Sequence, residues 1–136
     1  MSKNKHNSNL GSEIERSDDR INETGEVFTP VELVQYILEQ FPKEMLQDPN
    51  STFLDNSAGN GNLLLALKEV LLEYHSEEHI VNNMLYAVEY MEDNHKELCQ
   101  RIGVSADHPH YVNADALEYH YQFNGAPAQM TLDQFF

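Results

Sequence analysis

Basic residues are scarce in this chain, and cysteine is scarcer. Eight Lys and Arg stand against 23 Asp and Glu in 136 residues, a formal net charge of −15. The deficit is unevenly placed. Residues 1–20 balance Lys3, Lys5, Arg16 and Arg20 against Glu13, Glu15, Asp18 and Asp19. Beyond them only Lys43, Lys68, Lys96 and Arg101 are basic, so residues 21–136 carry the whole excess. Such a surface repels phosphate, which argues against a stand-alone nucleic-acid-binding protein. The single cysteine, Cys99, excludes an internal disulfide and fits a reducing cytoplasm. It lies beside Leu98 and Ile102 in a helical pattern and reads as buried filler, not as a nucleophile. No apolar run reaches membrane-spanning length. Residues 1–9 lack the apolar core of a signal peptide. His75 and His79 stand four apart but have no evident third ligand, so solvated histidines are expected and no metal site.

What is present fits one domain with a real core. Hydrophobic residues make up 40% of the chain, a proportion typical of globular proteins, and the length suits one unit rather than two. Residues 1–20 are polar and aperiodic and read as a flexible tail; residues 21–136 read as the domain. Thr29-Pro30 followed by Glu32 is a capping box with proline at the first helical position. Leu33, Val34, Ile37, Leu38 and Phe41 then share a helix face, and Pro42 ends it. Residues 43–51 form a polar connection, 52–55 a strand and 63–74 an apolar helix. A polar loop is expected over 73–83, a buried strand over 84–90, and a helix from Asp93 to Ile102 stopped by Gly103. Tyr111-Val112-Asn113 is a third short strand. Helix, then β-α-β-α-β, predicts an α/β fold with a short parallel sheet and flanking helices.

The centre of this pattern is Phe53-Leu54-Asp55-Asn56-Ser57-Ala58-Gly59-Asn60-Gly61-Asn62. A strand, a glycine turn and a helix in that order make a backbone cradle for a nucleotide-like ligand. A dinucleotide fingerprint would place a third glycine where Leu64 stands and an acid about 20 residues on. Glu89 lies further away, so a classical NAD site is not expected. The plainer alternative is that Gly59 and Gly61 only make a tight turn. Against it, each of the three strands is expected to end at an acid: Asp55, Glu89 and Asp115. Ligands of open α/β sheets bind beyond the carboxyl ends of the strands.

These residues also carry a resemblance. Gly25-Glu26-Val27-Phe28-Thr29-Pro30, Phe53 through Leu64, Tyr86-Ala87-Val88-Glu89 and Asn113-Ala114-Asp115-Ala116-Leu117 follow one another as motifs do in S-adenosylmethionine-dependent DNA adenine-N6 methyltransferases of the restriction–modification type. The chain is similar to that family over residues 20–120. The resemblance implies a truncated Rossmann-like methyltransferase fold that binds S-adenosylmethionine. It places Phe28, Thr29 and Pro30 at the methionine end of the cofactor. Asp55, with Ser57, Ala58 and the Gly59–Gly61 turn, would hold the amino group. Glu89 would accept the ribose hydroxyls, a charge-assisted contact worth on the order of 1.5–3 kcal/mol. Tyr90 or Met91 would cover the adenine face. Asp115 would accept the adenine amino group, with the backbone near Ala116 against the ring.

The chain departs from the family in two ways. Asn56 stands where the family usually has proline. More important, the Asn/Asp/Ser-Pro-Pro-Tyr/Phe motif that orients the target amino group and stacks on the flipped base does not occur. Asn124-Gly125-Ala126-Pro127 is no substitute, so no catalytic residue is named. No target-recognition segment follows, and the strand that would lie beside the first one is missing. An open strand edge is therefore expected, covered by residues 130–136 or by a second protein chain. Three functions compete on this reading. The chain is the cofactor-binding portion of an adenine methyltransferase, a complete small methyltransferase with another acceptor, or a non-enzymatic acidic protein. The last would mimic DNA or pair with restriction–modification enzymes. DNA is expected to bind weakly or through a partner.

Overall fold

The computed structural model describes residues 30–125. Residues 1–20, Phe28, Thr29 and residues 130–136 lie outside that range. In order the elements are α1 (Val31–Glu39), α2 (Lys43–Gln47), β1 (Phe53–Asp55) and α3 (Asn62–Leu71). A helical turn α4 (Glu77–His79) then runs into a π-helical turn (Ile80–Met84), followed by β2 (Leu85–Glu89), α5 (Glu92–Ile102) and β3 (Tyr111–Asn113). The strands form a parallel sheet in the order β1-β2-β3. The α/β class, the parallel sheet and the flanking helices agree with the sequence expectation.

The local corrections have physical causes. Pro30 flanks α1 and does not open it. Its backbone is extended (φ −61°, ψ 151°), and its carbonyl accepts the Val34 N–H at 2.9 Å. Residues 43–51 are not all connection, because Pro42 flanks a further short helix that buries Leu46. The expected loop over 73–83 contains α4 and the π turn, which bury Ile80, Val81 and Met84. Met91 flanks α5 in place of Asp93. Asp93 sits in the first turn, where an acid complements the helix dipole, and its Oδ1 accepts the Asn94 N–H. Gly103 closes α5 in the left-handed region, as the sequence predicts.

Strand alternation separates two faces. Phe53, Leu85, Ala87 and Tyr111 join Leu64, Leu67, Leu98 and Ile102 of α3 and α5 in the main core. The register sets Leu54 opposite Tyr86 and Val88 opposite Val112 on the other face. There Val88 and Val112 pack with Ala114 and Tyr119, and with Phe123. The chain after β3 thus folds back across the sheet as an aromatic arm. No helix among the described residues is long and apolar enough to cross a membrane.

Candidate functional site at the strand tips

Asp55 ends β1 half-buried, and its Oδ1 accepts the Ser57 N–H at 3.0 Å. Burial raises its carboxyl above the ordinary carboxylate range, and the Ser57 bond opposes that rise. Ser57 is exposed. Ala58 is buried, and its N–H reaches across to the Val88 carbonyl at 3.2 Å. The turn therefore leans over β2. Gly61 then opens α3 with φ at 91°. A Cβ built there would lie 2.7 Å from Leu98 Cδ1, so glycine allows α3 and α5 to close on each other.

Glu89 is the hinge of this arrangement. It is 8% exposed at the tip of β2. Its Oε1 accepts the Gly59 N–H at 2.8 Å. Its Oε2 accepts the Met91 N–H at 2.8 Å and, more weakly, Asn94 Nδ2 at 3.4 Å. A carboxylate has about four acceptor positions, so these three contacts leave one on Oε1. The carboxylate ties the glycine turn of one strand to the start of the helix after the next. Tyr90, directly after it, is exposed.

The third tip differs from expectation. β3 ends at Asn113, and Asp115 follows two residues later. Asn113 Nδ2 donates to the carbonyls of Glu89 and Tyr90 at 2.9 and 3.0 Å, linking β3 to the β2 tip. Asp115 is half-buried and its Oδ1 accepts the Leu117 N–H at 2.9 Å. The half-buried Ala116 gives its carbonyl to the Tyr121 hydroxyl at 2.7 Å. The structure thus joins the Gly59 turn to Glu89 directly, while Asp115 lies on the adjoining segment without a bond to either. Pro30, exposed at the start of α1, has no bond to the rim.

Sequence reasoning missed three supporting side chains. Arg101 Nη1 donates to the Asn60 carbonyl and to Asn62 Oδ1, both at 2.9 Å, pinning α5 to the glycine turn. Its signal was a rare cation in an acidic chain. Asn94 and Asn113 serve Glu89 and its neighbours and carry no sequence signal beyond being polar. The side chain of Asn60, inside the turn, is fully buried and both its polar atoms lack a partner, the kind of group that ordered water usually satisfies.

The histidines are anchored more than solvated. His75 Nε2 meets the Leu46 carbonyl and His79 Nε2 the Pro49 carbonyl, each at 2.8 Å. They tie the α4 region to the segment before β1. No set of three His, Cys, Asp or Glu side chains suited to a metal occurs among the described residues. Cys99 is buried, and burial pushes its thiol up to about 11, which keeps it protonated and unreactive.

No protein-family model matches this chain. No curated protein matches it either.

Proposed function

We propose that residues 21–136 are the S-adenosylmethionine-binding portion of a DNA adenine-N6 methyltransferase, built on a truncated Rossmann-like sheet. The observation that carries the reading is the bond between Glu89 and the Gly59 N–H. It supports a rim in which an acid at the tip of β2 and a bare-backbone turn after β1 belong to one site. The fit is chemical. The cofactor is a sulfonium carrying an amine, a vicinal diol and an exocyclic amine, and carboxylates suit all three. The spare acceptor position on Glu89 Oε1 takes one hydroxyl. The second displaces Asn94 Nδ2, whose 3.4 Å contact is the weakest at that carboxylate. Asp55 meets the amine, and a cation beside it draws its raised pKa back down.

Bound S-adenosylmethionine supplies an electrophilic methyl group. These 136 residues hold no Pro-Pro-aromatic motif to present an adenine to it, so the proposal covers cofactor binding and assigns no transfer step. Calorimetry with S-adenosylmethionine and its demethylated product tests it. Both should bind, and Glu89→Ala should weaken binding by about 10- to 100-fold, the loss of charge-assisted hydrogen bonds worth on the order of 1.5–3 kcal/mol. Absence of heat at millimolar ligand, or an unchanged affinity in the variant, would overturn it.

The second reading is a non-enzymatic acidic interaction protein. It is favoured by one fact: the net charge of −15 falls entirely on residues 21–136.

A further inference from the structure

Parallel strands are usually covered on both faces and read as continuous apolar runs. Phe53-Leu54, Leu85 through Val88 and Tyr111-Val112 fit that description. One face lies under α3 and α5. Among the described residues the other face carries the aromatic arm, which reaches Val88 and Val112 and sets the Phe123 ring 5.0 Å from that of Tyr86. The described part of the arm does not reach β1, where Leu54 is 50% exposed.

The backbone is open at the same place. Ala58 donates to the Val88 carbonyl, and Ala87 donates to the His110 carbonyl. Tyr86 and Val88 therefore turn their backbone groups toward β1, and Ala87 turns its own toward β3. Leu54 pairs opposite Tyr86, which directs its own N–H and C=O outward. No strand among the described residues pairs along that edge. Beside it runs a groove of about 270 Å³ whose walls include Phe41, Met45, Leu54, Leu63 and Leu67.

Charge decides between occupants. A second copy would bring another −15 to a surface already at −15. Like-charged fields slow encounter and oppose docking, while a cationic chain is drawn in. Strand addition to a sheet edge gains affinity from main-chain hydrogen bonds and specificity from alternate side chains. We propose that the edge of β1, unpaired among the described residues, takes an extended, net-basic segment of another polypeptide as a fourth strand. Its alternate apolar side chains lie on Leu54, and its opposite face borders the groove beside Phe41 and Met45. This interface stands independently of whether the strand tips bind a nucleoside.

The test pans the full-length protein against displayed random short peptides, then measures the enriched sequences as free synthetic peptides. Enriched sequences should alternate apolar residues and carry net positive charge. Their affinity should fall as salt rises, and hydrogen exchange at the Leu54 amide should slow when they bind. Leu54→Asp should weaken binding at least about tenfold, because it sets an acid against apolar surface. Leu117→Asp, at an exposed position beyond β3, should not weaken it. Enriched peptides that are neutral or acidic, or that bind Leu54→Asp as well as the wild type, would contradict the proposal. So would a Leu54 amide already protected in the free protein. Protection in a monomer would give the edge to this chain's own residues. Protection in a dimer that Leu54→Asp dissociates would give it to a second copy.

Discussion

Gly61 and Gly103 both adopt positive φ, at 91° and 94°, yet their surroundings differ. A Cβ at Gly61 meets Leu98 Cδ1 at 2.7 Å, whereas one at Gly103 finds only Lys68 Nζ, at 4.0 Å. Gly103→Ala should therefore cost only the left-handed penalty, about 1–2 kcal/mol. Gly61→Ala adds overpacking of about 1–3 kcal/mol, and urea unfolding should rank it clearly the worse. Equal costs would mean that the glycine turn and α5 are not in contact. The histidines before β3 give a second expectation. His108 Nδ1 accepts the His110 N–H, its Nε2 meets Asn82 Oδ1, and His110 stacks on Tyr86 at 4.0 Å. Burial lowers both imidazole pKa values, and the charge of His110 lowers that of His108 further. The unfolded chain then binds protons more readily than the folded one. The associated stability is fully present above the unfolded value of about 6.5 and is lost as pH falls through it toward the folded values. Urea midpoints should fall between pH 7.5 and 5. Replacing both histidines with glutamine should flatten that decline, and an unchanged slope would assign it to other groups.

Lys68 breaks the apolar run of α3, and its placement explains why. Its ammonium is buried and donates to the Ile102 carbonyl at 2.8 Å, satisfying the end of α5. The ion pair with Glu77 at 3.2 Å involves an exposed partner. Lys68→Met should thus destabilise by about 1–3 kcal/mol, because it leaves a buried carbonyl without a donor. Glu77→Ala should cost under about 1 kcal/mol. Thermal unfolding of the pair distinguishes the two roles, and the reverse order would make the ion pair the dominant contact. The long-period elements were legible in the sequence. Apolar runs located all three strands to within one or two residues, and Gly103 marked the end of α5. The short elements were not. Lys43–Gln47 and Glu77–Met84 are too brief to show a helical repeat, and tertiary contacts at Leu46, Ile80 and Met84 hold them in place. The sequence also named Glu89 and the glycine turn but could not show that they touch. Their bond spans 30 residues and depends on the parallel pairing of β1 with β2. The sequence pattern sets Asp115 at a strand tip, whereas the tip residue whose side chain bonds to β2 is Asn113.

In the whole molecule, an acidic α/β layer has helices on one face of its sheet, an aromatic arm on part of the other, and an unpaired edge strand among the described residues. Its carboxyl rim carries Asp55 at the end of β1 and joins the Gly59 turn to Glu89, with Asp115 on the adjoining segment, the groups proposed above to hold a cationic nucleoside. Asp55 borders both this rim and the groove beside β1, so ligand at the rim should act on the glycine turn and β2 tip first and reach the groove only through Asp55. Amide spectra of isotopically labelled protein titrated with S-adenosylhomocysteine test this most directly. Saturable shifts should centre on Gly59, Gly61, Tyr90 and Ala116 and exceed any shift in the Phe41–Met45 groove. Spectra that stay fixed at millimolar ligand, or that move at Leu54 and the Phe41–Met45 groove while the rim stays still, would contradict it.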